Sequence, residues 1–161
     1  MVTVDTADLE KSIDTYVDLL TKALKNSVTQ VMYGTANAIV ENTPVGDTDT
    51  YYELYLKRFQ AEGWDIEEGM LLANWGFHIN TDEGYFNKDI RDTQGDLVTN
   101  SIREVMTEYK LGDSITASNY TPYALSIENG QSAQAPNGTV KPAEQALLDI
   151  YKIQFKDFLN G

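Results

Sequence analysis

The feature that most constrains this chain is a run of apolar residues at steps of three and four. Leu9, Ile13, Tyr16, Val17, Leu20, Leu24, Val28, Val31, Met32, Ala36 and Ile39 fall on one face of a helix over residues 8–41. Asp5 or Thr6 supplies an N-cap, and Asp8 and Glu10 complement the positive end of the helix dipole. Pro44 sets the stop, because it pushes Thr43 out of the helical region. Gly34 marks either close packing or a break. A helix of about thirty residues exceeds the usual globular length, so it lies across a sheet or extends past it.

Shorter elements follow. Residues 43–50 are turn-rich. Residues 51–62 read as a short amphipathic helix with an aromatic face of Tyr51, Tyr55 and Phe59, stopped by Gly63. Loose alternation through Leu72, Trp75, Phe77 and Ile79 predicts a strand over 70–80, with Asp82-Glu83-Gly84 as the turn after it. Residues 86–95 are polar and irregular. Helical spacing returns over 97–110 through Ile102, Val105, Met106 and Tyr109, and Gly112 ends it. Residues 114–118 read as a strand, 123–128 as a turn or short helix, and 139–141 as a brief strand. Pro142 opens a last helix to about 159, with Ala146, Leu147, Ile150, Ile153, Phe155 and Phe158 available for burial. Helices and strands mix without a βαβ rhythm. The fold class is therefore α+β, one domain over 1–161.

Composition excludes several chemistries. The 161 residues include no cysteine, which rules out disulfides, zinc–thiolate sites and thiol nucleophiles. His78 is the only histidine and has no partner histidine or cysteine for a dyad. Asp47, Asp49 and Glu53 miss the calcium-loop pattern, since Tyr51 and Tyr52 stand where an oxygen ligand and a glycine belong. Walker, dinucleotide and nucleophile-elbow motifs are absent. The sequence thus leads to no cofactor, no metal and no enzyme. The first ten residues lack the basic and apolar regions of a signal peptide, and no run spans a bilayer, so a soluble protein that stays where it is made is expected. The formal net charge of −13 opposes stable gripping of DNA phosphates. A solvated surface is its plainest use.

Between Pro122 and Leu147, Gln131 to Gly138 reads as a polar, flexible loop held between anchored ends. Gly130, after Glu128-Asn129, is free to take a positive φ and stop the turn. Alone, this describes an ordinary surface loop. The order of segments adds to it. Pro122-Tyr-Ala, Ile127-Glu-Asn-Gly130, Ala135-Pro136 and Val140-Lys-Pro-Ala143 resemble the tail-completion and tail-terminator family of tailed bacteriophages. Thr43-Pro-Val-Gly-Asp-Thr48 after a long helix, and Leu71 to Trp75 with Asn74 in place of a serine, are similar to earlier segments of that family. Lys141 keeps the positive charge of the family's commoner arginine. Residues 50–69 depart from the pattern as an insertion.

The resemblance implies a mixed β-sheet with a long N-terminal and a C-terminal helix packed on it. It implies a structural virion protein of the neck, made in the host cytoplasm, that completes or terminates the tail tube and forms the tail-side interface for head–tail joining. The partners it implies are further copies in a ring, as a hexamer, the tail tube protein and head-completion or connector proteins. The net charge then leads to the expectation of an acidic lumen through which DNA slides without specific binding, and no membrane partner is expected. Tyr51, Tyr55, Phe59, Gln131, Ser132, Gln134, Asn137 and Lys141 are the expected contact residues, with the 131–138 loop dispensable for folding. The alternatives are an acidic protein-binding adaptor using the aromatic face and, further off, a hydrolase with an unmarked carboxylate pair.

Overall fold

The structure, a computed structural model, describes residues 6–46, 57–58, 60–61, 63 and 66–160, without the side chains of 155 and 157–160. Its longest element is helix α1, Thr6–Asn42. The stop falls where proline requires it: Thr43 still donates its N–H and its hydroxyl to the Ile39 carbonyl (2.9 and 2.6 Å), and Pro44 ends the run. Only the second half of α1 is buried, through Val31, Thr35, Ala36, Ala38 and Ile39.

The remaining elements are α2 (Met70–Ala73), β1 (Trp75–Ile79), α3 (Asp96–Glu108), β2 (Ile115–Asn119), α4 (Ala124–Glu128) and α5 (Val140–Asn160). β1 and β2 form a two-stranded antiparallel sheet in which Trp75 faces Asn119, Phe77 faces Ala117 and Ile79 faces Ile115. The expected α+β class is present: a long first helix, a small sheet and a C-terminal helix. The Phe77 N–H points away from β2 and donates to Ser101 Oγ of α3 at 2.9 Å. One edge of the small sheet is thereby covered by a helix. Asn80 closes the end of the sheet with φ 55, donating to Asp113 Oδ1 (2.7 Å) and accepting the Ser114 N–H (2.9 Å). That bond from Asn80, with one from the Lys110 N–H, holds the Asp113 carboxyl below its ordinary range.

Two clusters make the core. The larger joins Ala36, Ala38 and Ile39 of α1, Leu72, Trp75, Phe77, and the α3 residues Val98, Ile102, Val105 and Met106, with Tyr109 and Ala143. The smaller holds Ile66, Met70, Leu71 and Tyr123. α5 runs antiparallel to α1: Thr139 at its start bonds the Asn42 carbonyl, and Ile150 lies on Gly34. Gly34 is therefore a close-packing residue and not a break, since a Cβ there would overlap Ile150 Cδ1.

Three sequence expectations change. Residues 70–73 are a helical turn and not the start of a strand. All four side chains there are buried, so the run has no period of two, and Gly69 in the left-handed region (φ 74) lets Ala73 N–H reach its carbonyl at 2.9 Å. Residues 140–141 are helical instead of a strand, which makes Pro142 the third residue of α5, still among the positions whose N–H has no intrahelical partner. Ile153, expected to be buried, is 58% exposed. Phe155 and Phe158 have side chains outside the described residues.

The polar stretch before α3 is organised by Asp92. Its Oδ1 accepts the N–H groups of Gln94 (2.9 Å) and Gly95 (2.7 Å), and its Oδ2 accepts that of Leu97 (2.7 Å). Burial alone raises its pKa, but the backbone N–H groups of Leu97, Gln94, Gly95 and Asp96 together outweigh burial and bring it below 3.8. A depressed folded pKa stabilises the fold above the ordinary carboxylate range, and that contribution is lost as pH falls through the folded pKa. Asp92→Asn is expected to cost about 1–3 kcal/mol at pH 7. Urea titrations of both proteins between pH 7 and pH 2.5 check this: the gap between them closes below about pH 4.

Candidate interaction surface

Residues 122–143 build a surface from three interlocked pieces. Tyr123 is buried and seeds α4, with the Ser126 and Ile127 N–H groups returning to its carbonyl. Gly130 (φ 76) turns the chain where a Cβ would stand 2.6 Å from the Pro136 carbonyl oxygen. The Glu128 carboxylate then reaches across the loop. Its Oε2 accepts the N–H groups of Thr139 and Val140, both at 2.8 Å, and so caps the start of α5.

The 131–138 segment is thus a series of hydrogen-bonded turns and not a flexible loop. Gln131 N–H bonds the Ser126 carbonyl, Ala135 N–H that of Ser132, and Gly138 N–H that of Ala135. Ala135 is 3% exposed. Deleting the segment would remove that buried surface and the bonded route to the α5 cap, so a cost in stability is expected. Of the expected contact residues, Gln131 and Ser132 are half-buried, the latter accepting the Gln134 N–H at 3.2 Å. Gln131 Oε1 is buried without a hydrogen-bond partner. Gln134, Asn137 and Lys141 are exposed and present polar groups outward. Tyr51, Tyr55 and Phe59, with the Asp47, Asp49 and Glu53 cluster, lie outside the described residues.

Beside this surface is a cleft of about 290 Å³ between Tyr123, Met70, Phe86 and Arg91. Arg91 pairs with Glu67 at 2.8 Å and donates to the Ile90 carbonyl, so its charge is held locally. Asn74 is 8% exposed; it bonds the Met70 and Asn87 carbonyls and accepts the Asn87 N–H. It therefore pins the chain entering the cleft. His78 is half-buried on β1 opposite Thr116. Among the described residues, no group of three or more His, Asp or Glu side chains is placed to hold a metal, and no helix is long and apolar enough to cross a membrane.

The charge is segregated. Residues 43–139 carry sixteen acidic and six basic side chains, whereas residues 140–161 carry three of each. Among the described residues, 43–139 carry eleven acidic and six basic side chains, so the body around the sheet is acidic and the helix pair nearly neutral. Sequence reading saw the glycine after Glu128 but not the cap. A glutamate twelve residues before the helix start at Val140, which the sequence reading puts at Pro142, has no local signature.

Comparison of the chain with family models, curated proteins and solved structures finds no match.

Glu128→Ala is expected to cost about 1–2 kcal/mol, because it leaves the N–H groups of Thr139, just before α5, and of Val140, its first residue, without their acceptor. Chemical denaturation measures the loss, and faster amide exchange at Thr139 and Val140 locates it.

Proposed function

We propose that the chain is a structural protein of the neck of a tailed phage. In this reading it completes or terminates the tail tube and presents the tail-side interface for head–tail joining. The observation that carries the reading is the Glu128 cap. It ties the Ile127-Glu-Asn-Gly130 segment to Val140-Lys-Pro-Ala143, so two separated pieces of the family-like pattern are one physical unit. The other pieces meet nearby. Gly69 N–H bonds the carbonyl of Val45, in the Thr-Pro-Val segment, and Asn119 Nδ2 bonds that of Leu71 at 2.7 Å.

The chain works in this role without chemistry of its own. A closed ring arises when one subunit's surface meets a different surface on the next. Gln134, Asn137 and Lys141 form the outward polar rim that such a contact, or the tube, engages. An acidic body facing the lumen repels DNA and lets it slide, which suits the segregated charge.

Electron microscopy of tails assembled with and without the protein tests the reading. Tubes of uncontrolled length or tails that fail to join heads are expected in its absence, and normal tails and normal joining would sink it. The combined substitution Gln134→Arg, Asn137→Arg and Lys141→Glu is expected to reduce joining at least about tenfold. All three positions are exposed, so the melting temperature stays within the range of ordinary surface changes.

A further inference from the structure

Among the described residues, the first half of α1 is largely exposed. Leu9, Ile13, Tyr16 and Val17 are 52–65% exposed and Leu24 is 39% exposed, yet they continue the face that enters the core at Val28 and Met32. α5 explains where the cover stops. Ile150 lies on Gly34, and the ten residues from Ile150 to the end of α5 advance about 15 Å, the same step as from Gly34 to Leu24. Beyond that point Leu20 is half-buried and the rest of the stripe is exposed.

We propose that this stripe is the contact for a second copy of the same chain, with the two α1 helices packed antiparallel. Leu9 then stands opposite Leu20 of the second copy and Ile13 opposite Tyr16, each pair occurring twice about the two-fold axis. Three observations select this occupant. The first is area: the exposed parts of the stripe amount to on the order of 500 Å² per copy, and two such faces remove about 1,000 Å² from water, the lower bound for a specific contact and the size of a weak, reversible dimer. The second is charge. The body repels another copy, but residues 6–25 carry four acids against three lysines and are close to neutral. The third is the order of those charges. Asp8 and Glu10 lie at one end and Lys22 and Lys25 at the other, so an antiparallel pair sets acid beside lysine while a parallel pair crowds the acids. The antiparallel arrangement also places the two acidic bodies at opposite ends.

Sedimentation of the full chain over a concentration series tests the proposal, with Ile13→Asp/Val17→Asp as the variant. The wild type is expected to dimerise, and the variant to dimerise at least about 100-fold more weakly with an unchanged melt, since both positions are exposed. Orientation is read by cross-linking, for which the absence of native cysteine is convenient. Leu9→Cys mixed with Leu20→Cys is expected to form the inter-chain disulfide, while each variant alone forms little. A wild type monomeric to about 100 μM, a dimer indifferent to the double substitution, or efficient cross-linking within each single variant overturns the proposal. The pairing does not rest on the neck reading: a chain monomeric in solution that still ends tail tubes removes the pairing and leaves the neck.

Discussion

The fold depends on one crossing of backbone at Gly69. Its N–H bonds the Val45 carbonyl at 2.6 Å, just past the end of α1, and its carbonyl accepts the N–H groups of Ala73 and Asp92. A Cβ at Gly69 would stand 2.5 Å from the Asp92 carbonyl oxygen. Three stretches distant in sequence therefore meet only because this residue has no side chain and φ 74. From the crossing, α2 leads directly into β1, and Asp92 caps α3 through its carboxylate. The two faces of the larger core, Trp75 with Phe77 and Val98 with Ile102, are thus set relative to each other by one joint.

The same chain divides its helices between two environments. α3 buries its apolar stripe of Val98, Ile102, Val105 and Met106 along its whole length and leaves only Leu97, in its first turn, exposed. α1 uses only its second half, so its formation over residues 6–25 must rest on helix propagation from the packed end and on local bonds. Ser12 and Thr15 hydroxyls bond the carbonyls four residues earlier, which satisfies those groups but adds little stability. A helical arm that is amphipathic and yet unburied is stable at modest cost while it stays attached to a packed helix. Its apolar face remains ready for association.

The regular elements were legible because their signals are periodic and local. The stripe of α1, its stop at Pro44 and the α3 pattern through Ile102 and Met106 all correspond to observed elements. The errors fall where a long-range bond sets the element. Met70–Ala73 reads as strand because its four apolar residues lie beside a true strand, and only the crossing at Gly69 curls them. The start of α5 is displaced because Glu128, remote in sequence, supplies its cap. Asp92 was hidden in a polar run, though an aspartate shortly before Gly95-Asp96 and an apolar helix was a usable capping signal. Gln134, Asn137 and Lys141 were legible as polar residues near a turn and are exposed. The buried Ala135 beside them was not, because a lone alanine carries no pattern.

A ring and an antiparallel α1 pair make different demands on one subunit. Ring closure needs a heterologous contact, in which one surface meets another, whereas the α1 pair is isologous and is satisfied by two copies. The residues divide accordingly: the capped turns at 122–143 and the acidic body lie at the sheet end, and the free stripe lies at the far end of α1. The two contacts therefore do not compete for the same side chains. Charge then ranks them. Pairing through the near-neutral arms keeps the acidic bodies apart, but a ring brings them together and must offset their repulsion with contacts to a partner such as the tube. Under the two proposals together, such a chain would pair through its arms in free solution and close into a ring only on a template such as the end of a tail tube.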